Sequence, residues 1–202
     1  MDNLGPLHHA ETGATLRSPE VARIGLIGAE SSGKSTLATA LSRELPACVV
    51  AEELRTFVEE RGRPPRQDEQ PQLMSAQAEA EEHVAASCGR PWLVADPAPL
   101  MTAVYSIAYF DDDALLEAGL QHACAYRLLV WCDPGIPWQP DDGQRDGPAR
   151  RAGTDAIIDD LVQGPIGAMS VDVLKVTGSV AQRVAAVLER LAWQPEPSRR
   201  PT

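Results

Sequence analysis

The loop GAESSGKST, which runs from Gly28 to Thr36, constrains the fold of this chain more than any other feature. Its first eight residues fit the pattern G-x-x-x-x-G-K-[ST], in which the glycines permit positive φ angles and a close approach of phosphate to the backbone. An apolar run at 24–27 precedes the loop, and a helical pattern of apolar residues follows it. This strand, loop and helix order predicts a phosphate-binding loop in an α/β fold.

Each constrained position of this loop has an expected role in binding a nucleoside triphosphate. Lys34 should reach the β and γ phosphates, and the Ser35 hydroxyl should bind Mg²⁺. The backbone amides and the positive end of the following helix should contact phosphate oxygens. The residues assigned to the nucleotide are Gly28, Ala29, Glu30, Ser31, Ser32, Gly33, Lys34, Ser35 and Thr36. ATP and Mg²⁺ are therefore the expected cofactors.

The charge balance of the chain restricts its partners. The 202 residues include 18 Lys+Arg and 29 Asp+Glu, which gives a formal net charge of −11. Such a surface repels nucleic acid and anionic lipid, so a phosphate must be bound by a local basic pocket. The sequence also lacks an apolar run of membrane-spanning length and a signal-peptide pattern. We therefore expect a cytoplasmic protein with no nucleic-acid or membrane partner.

The four cysteines are far apart in the sequence and form no C-x-x-C pair. They are Cys48, Cys88, Cys124 and Cys132. This spacing favours buried, reduced thiols over a disulfide framework or a metal site.

Hydrophobic periodicity divides the chain into alternating strands and helices. Residues 1–20 and 194–202 are polar and aperiodic, and are expected to be flexible extensions of one domain at 21–193. The predicted strands are 23–27, 48–51, 92–95, 126–132 and 170–176. The predicted helices are 34–44, 52–61, about 68–87, 100–109, 114–124, 154–162 and 179–193. This alternation predicts an α/β protein with a mostly parallel five-stranded sheet and helices on both faces.

Polar residues follow the predicted strands at positions where ligands bind in parallel sheets. Gly28, Glu52, Asp96 and Asp133 should lie along one rim. Asp96 could hold Mg²⁺ or accept the proton of an acceptor hydroxyl, with a helix cap as the alternative. Glu52 and Arg55 are three residues apart and share a helix face, so they could bind an acceptor or form a plain surface ion pair.

The stretch 134–153 is rich in Pro, Gly, Asp and Arg, and has no periodicity. Its length predicts a mobile lid loop, not an idle connection. Arg145, Arg150 and Arg151 would close over the triphosphate, neutralise developing charge and exclude water. Trp138 in the same stretch could stack on a ring or pack on the surface.

The chain resembles the ribosylnicotinamide kinase domains of the bacterial NadR type, which are small P-loop ATPases of NAD biosynthesis. The motifs behind the resemblance are the phosphate loop, the E-x-x-R at 52–55, the strand into Asp96, T-x-V-x-S-x-x-Y-F at 102–110 and IPWxxDDGxR at 136–145. The resemblance covers about 23–191 but does not extend to a DNA-binding or adenylyltransferase segment. It implies a P-loop NTPase fold and transfer of the ATP γ-phosphate to the 5′-hydroxyl of nicotinamide riboside.

The resemblance also implies roles for individual residues. The catalytic residues would be Lys34, Asp96, Glu52 and Arg145. The acceptor would be bound by Glu52, Arg55, Thr102, Trp138 and Asp142. The nucleotide would further contact Arg150, Arg151, Gly178 and Ser179, and the metal would be held by Ser35 and Asp96.

One position departs from the family pattern and leads to a second hypothesis. Ala98 stands where a second polar residue would follow Asp96. Our first hypothesis is an ATP- and Mg²⁺-dependent small-molecule kinase. The second is an ATP-binding regulatory or assembly module with slow hydrolysis and a protein partner, which could be another copy of the chain.

Overall fold

A parallel five-stranded sheet forms the centre of the computed structural model, which describes residues 21–135 and 148–192. The strands are β1 (Ala22–Ile27), β2 (Ala47–Val50), β3 (Trp92–Ala95), β4 (Leu128–Cys132) and β5 (Val173–Val176). Every neighbouring pair is parallel, in the order β2-β3-β1-β4-β5. The predicted fold class is therefore confirmed. The phosphate loop follows β1, the central strand.

Seven α-helices connect and flank the strands in the described part of the chain. They are α1 (Lys34–Glu44), α2 (Glu53–Arg61), α3 (Gln70–Ser87), α4 (Leu100–Phe110), α5 (Leu116–Ala123), α6 (Pro148–Leu161) and α7 (Val180–Ala192). A 3₁₀ turn at Gln67–Glu69 precedes α3, and a π-helical turn at Val162–Ile166 follows α6. None of the helices in the described residues is long and apolar enough to cross a membrane.

Two separate hydrophobic cores cover the two faces of the sheet. On one face, Leu37 and Leu41 of α1 and Val187 of α7 pack with β1 and β4 side chains. On the other face, the apolar sides of α3 to α6 pack together, with Met101 and Ile158 fully buried. Central strands that are buried on both faces have nearly continuous apolar sequences, which explains why their positions were predictable.

Helix α6 begins earlier than the sequence indicated. The predicted loop extended to Gly153, but α6 starts at Pro148, a residue type well suited to the first turn of a helix. The first turns of α6 have few apolar residues, so periodicity did not reveal them. Arg150 and Arg151 therefore belong to a helix. The remainder of the predicted lid, at 136–147, lies outside the described residues.

The prediction that all four cysteines are reduced is wrong for two of them. Cys48 of β2 and Cys88, directly after α3, form a disulfide with a Cα–Cα distance of 6.3 Å. Forty residues separate them in sequence, and only the packing of α3 beside the edge strand brings them together. Cys124 and Cys132 are free thiols, exposed and buried respectively.

Candidate functional site

The loop between β1 and α1 has the backbone geometry of a phosphate cradle. Gly28 has a φ of 147° and Gly33 a φ of 85°, in the region that favours glycine. A Cβ at Gly28 would lie 2.7 Å from the backbone oxygen of Cys132, so no side chain fits there. Lys34 is 9% exposed, and its Nζ donates to the backbone oxygens of Gly28 (2.7 Å) and Ala29 (3.1 Å). Its ammonium group is thus held at the loop, beside the positive end of α1.

Arg183 of α7 braces this loop and was not found by sequence reasoning. Its side chain is buried and donates to three backbone oxygens, those of Ser32 (2.6 Å), Asp133 (3.0 Å) and Gly178 (3.1 Å). The guanidinium therefore ties the phosphate loop to the segments that follow β4 and β5. Arg183 lies among the apolar positions of α7, and a charge at a core-facing position was the signal that could have revealed it.

Asp96 lies between the two functional sides of the rim. It directly follows β3, is 7% exposed and lies near the Ser35 hydroxyl. Burial raises the pKa of Asp96, while the Ser35 hydroxyl and the charges of Lys34 and Arg55 act in the opposite direction. One carboxylate therefore interacts with the phosphate lysine and with the predicted acceptor arginine.

Ser35 and Asp96 form a donor set that suits Mg²⁺. A hydroxyl and a carboxylate are hard oxygen ligands, and Mg²⁺ in nucleotide sites takes few protein ligands beside phosphate and water. In the described residues no group of three His, Cys, Asp or Glu side chains could hold a metal by itself. The chain's own oxygens at this position fit a metal that arrives with a nucleotide.

The predicted acceptor residues lie at the start of α2, next to an acidic pocket. Arg55 Nε donates to Glu52 Oε2 at 3.1 Å. Tyr105 of α4 is partly buried against the core, and burial raises its pKa well above the ordinary value. The negative charges of Glu52, Glu30 and Asp96 raise the pKa of Tyr105 further. Three carboxylates therefore lie near enough to this phenol to oppose its ionisation.

Glu30 of the phosphate loop faces α4. The Tyr109 hydroxyl donates to its Oε1 at 2.9 Å. Its Oε2 is buried and has no hydrogen-bond partner within 21–135 and 148–192. The Arg150 guanidinium lies 4.9 Å from the centre of the Tyr109 ring, and Arg150 also donates to the backbone oxygen of Ala108. The side chains of Glu30 and Arg150 thus both contact Tyr109 of α4. Their roles in nucleotide binding stay predictions.

Of the other predicted site residues, the structure describes some, whereas others lie outside the described part of the chain. Arg151 is buried, and its guanidinium donates to the backbone oxygens of Ser31 (3.2 Å) and Pro134, so α6 contacts the phosphate loop directly. Thr102 is buried in the first turn of α4. The residues that lie outside the described part of the chain are Trp138, Asp142 and Arg145. The position of the predicted lid residues over the nucleotide therefore stays a prediction.

A surface cavity adjoins the phosphate loop along α1. Its volume is about 460 Å³, and it is lined by Ser35, Thr36, Thr39, Ala40, Arg43 and Val180. The predicted adenine loop, with Gly178 and Ser179, immediately precedes Val180. Gln182 fixes this loop, because its side-chain oxygen accepts from the Ser179 amide (2.9 Å) and hydroxyl (3.0 Å).

Comparisons with known proteins agree with this geometry. Residues 23–183 match the family described as an AAA domain. No curated protein sequence is similar enough to the chain to be matched with it.

Several solved structures share the fold at low sequence identity. A structure of NadR in complex with NR has a TM-score of 0.66 and 19% identity, and the match covers 90% of this chain and 54% of that chain. Deoxyadenosine kinase from M. mycoides with bound dATP has a TM-score of 0.60 and 11% identity, covering 85% of this chain and 100% of that one. Thymidylate kinase from Candida albicans has a TM-score of 0.62 and 13% identity, and the match covers 87% of this chain and 93% of that chain. The chain thus spans about half the length of the NadR structure, and the predicted likeness is confirmed at the level of the fold.

Proposed function

The chain belongs to the AAA domain family, and from this premise we propose that it is an ATP- and Mg²⁺-dependent small-molecule kinase. It transfers the γ-phosphate to a hydroxyl of a nucleoside-like acceptor, and nicotinamide riboside is the first acceptor to test. The observation that carries the proposal is the position of Asp96. This buried carboxylate follows β3, which lies between β1 with the phosphate loop and β2 with the Glu52 turn, and the charges of Lys34 and Arg55 both act on it, so phosphate and acceptor would meet there.

The described residues supply the parts that phosphoryl transfer requires. The loop amides and Lys34 bind and neutralise the phosphates, and Ser35 and Asp96 would hold Mg²⁺, which when bound supplies further neutralising charge. Glu52 or Asp96 accepts the proton that the acceptor hydroxyl loses as its oxygen bonds to the γ-phosphorus. The bond between the γ-phosphorus and the β,γ-bridging oxygen then breaks, and ADP leaves.

The charge of the acceptor pocket supports a cationic acceptor. The charges of Glu30, Glu52 and Asp96 all act on Tyr105, and Glu30 Oε2 is buried without a hydrogen-bond partner in the described part of the chain. A buried carboxylate is stabilised by a positive charge or a donor nearby. The nicotinamide ring of nicotinamide riboside carries a permanent positive charge. The NadR structure that shares this fold is a complex with NR.

The test is ADP release from MgATP, with and without nicotinamide riboside. We expect strong stimulation by nicotinamide riboside and weaker stimulation by its uncharged reduced form, dihydronicotinamide riboside, which has a similar size. Neutral nucleosides such as cytidine and adenosine complete the panel. Substantial ADP release without any acceptor would contradict the kinase proposal, and equal use of the charged and reduced forms would contradict the role of the acidic pocket.

Ala98 favours a second candidate, an ATP-binding regulatory or assembly module with a protein partner. The Ala98 side chain is fully buried in the core, so it offers the acceptor no polar contact. Tight MgATP binding without stimulation by any acceptor, together with a specific protein partner, would support this alternative.

A further inference from the structure

The turn that carries Glu52 has few neighbours to hold it in place. It follows β2, which lies at the edge of the sheet. It precedes α2, a nine-residue helix in which no residue is buried. Glu52 is the N-cap residue of α2, yet its side chain makes no capping hydrogen bond. Because helices in proteins are stabilised mainly by packing, the position of α2 depends on a small number of contacts.

Gln77 of α3 makes two of these contacts, one on each side of Glu52. Its Oε1 accepts from the Glu53 amide at 2.9 Å, and its Nε2 donates to the backbone oxygen of Ala51 at 3.2 Å. Gln77 itself is 3% exposed, and both bonds are partly buried. A primary amide is the side chain that can accept and donate at these two points at once.

We propose that Gln77 is a positioning residue that fixes Glu52 in the acceptor site. This inference rests on the proposed function, because Glu52 and Arg55 are the residues expected to face the acceptor. Because the bonds of Gln77 hold the backbone at Ala51 and Glu53, they also fix the direction in which the Glu52 side chain extends. Phosphate binding does not depend on this turn, since Lys34 and Arg183 are anchored to other segments.

The first experiment measures ADP-release kinetics with nicotinamide riboside for Gln77→Met, which keeps the apolar volume but removes both hydrogen bonds. We expect kcat/KM for the acceptor to fall about 10- to 100-fold, the effect of losing two net hydrogen bonds, with KM for MgATP unchanged. Gln77→Glu retains the acceptor for the Glu53 amide and should recover part of the loss. Gln70→Met is the matched control, because Gln70 is also buried on α3 but makes no hydrogen bond with the turn in the described structure.

A double-mutant cycle separates positioning from general stability. If Gln77 acts through Glu52, Gln77→Met should have little further effect in a Glu52→Gln background. Full additivity of the two substitutions, or an equal loss in the Gln70→Met control, would overturn the proposal.

Hydrogen exchange gives a readout that does not require kinase activity. Gln77→Met should increase amide exchange in α2 and leave α1 unchanged, whereas Gln70→Met should not have this selective effect. If the native protein showed no acceptor-dependent turnover, the proposed function would fail, and exchange in α2 would still decide the positioning role. Unchanged exchange in α2 of Gln77→Met would overturn that role.

Discussion

The phosphate half and the acceptor half of the rim are constructed differently. On the phosphate side, Lys34 and Arg183 are buried and anchored to backbone oxygens of the loop and of neighbouring segments. On the acceptor side, α2 contains no buried residue, and the side chain of Arg55 is 52% exposed. The first arrangement depends on backbone geometry that the motif imposes, whereas the second depends on individual side chains reaching in from α3 and α4.

This difference indicates which properties can vary without loss of the fold. In the proposed kinase, the triphosphate would be bound by the loop after the central strand, which packs against the core, so a change there would disturb the sheet. The acceptor would be selected by a surface helix and a few side chains, which can change without disturbing the sheet. A low sequence identity to the kinases that share this fold is therefore compatible with a retained phosphate site and an altered acceptor site.

Lys34→Ala should have the largest effect on activity. The substitution removes the ammonium group that neutralises phosphate charge in the transition state. We expect kcat to fall about 10²–10³-fold, the usual loss when a preorganised electrostatic contact is deleted. A coupled assay of ADP release with nicotinamide riboside measures this.

Lys175→Ala is the control for Lys34→Ala, since it removes a 41% exposed lysine side chain that pairs with Asp133. Circular dichroism of both variants checks that the sheet is intact. If Lys34→Ala retained near-normal turnover with a native spectrum, the phosphate half would not function as we propose.

Glu52→Gln should have the next largest effect, and one confined to the acceptor. The amide has nearly the same shape but cannot take a proton or hold a positive charge. We expect kcat/KM for the acceptor to fall about 10²-fold, in the range for a general base or a charge contact, with KM for MgATP unchanged. Steady-state kinetics with each substrate varied separately distinguish the two halves.

Glu53→Gln is the matched control for this prediction, because only the backbone amide of Glu53 bonds to Gln77. Asp96→Asn is the comparison, but because Asp96 is also a proposed Mg²⁺ ligand, its loss in kcat points to Asp96 as the base only if the Mg²⁺ concentration needed for half-maximal activity is unchanged. A parallel loss of ATP affinity in Glu52→Gln would show that the two halves are not separable.

Much of the fold was predictable from sequence, because local pattern and tertiary role coincide. The glycines, lysine and serine of the loop are required by one backbone conformation, and β3 and α1 were predicted with the bounds that the structure has. The parallel sheet then placed Glu52, Asp96 and Asp133 after neighbouring strands at one rim. These inferences needed only local periodicity and the geometry of parallel strands.

The remaining features depend on contacts between distant parts of the chain. These contacts join residues that are far apart in sequence. The separation is 151 positions for Arg183 and Ser32, 24 for Gln77 and Glu53, and 40 for the Cys48–Cys88 disulfide. Neither residue type nor spacing specifies such pairings. Of these three contacts, only that of Arg183 had a signal in the sequence, which is a charged residue within the apolar stripe of α7. A buried arginine needs several hydrogen-bond partners, so such a position indicates a contact with polar groups elsewhere.

Arg183→Lys tests the phosphate half with a smaller expected effect. Lysine keeps the charge, but its single ammonium group cannot reproduce the planar fork that bonds to Ser32, Asp133 and Gly178. We expect MgATP to bind about ten-fold more weakly, the cost of roughly one charge-assisted hydrogen bond. Isothermal titration calorimetry measures the affinity directly.

Arg190→Lys on the same helix is the control, since Arg190 forms an ion pair with the side chain of Asp172 at the surface. We expect KM for the acceptor to be unaffected in both variants. If Arg183→Lys raised KM for the acceptor as much as it weakened MgATP binding, the brace would serve both halves.

Glu81→Gln should alter stability and leave both halves of the site unchanged. Glu81 of α3 is 3% exposed and accepts from the Tyr126 hydroxyl at 2.7 Å, with Arg23, Glu82 and, beyond them, His122 nearby. Burial raises the pKa of Glu81 to about 7, although the Tyr126 bond and the Arg23 charge oppose the increase.

The pH dependence of stability follows from the direction of this shift. The folded protein binds the Glu81 proton more tightly than the unfolded chain does, so the contribution is fully present below pH 4.5 and is lost as pH rises to about 7. At about 1.4 kcal/mol per pKa unit, the carboxyl should reduce the free energy of unfolding by up to about 3 kcal/mol across this window.

Urea unfolding at pH 5 and pH 7.5 should show a smaller decrease in the free energy of unfolding for Glu81→Gln than for the native protein. The exposed Glu79, replaced by glutamine, is the control and should leave the decrease unchanged. An identical decrease in the native protein and Glu81→Gln would mean that Glu81 is already ionised in the fold at pH 5, so that its burial beside Tyr126 would not raise its pKa as we expect.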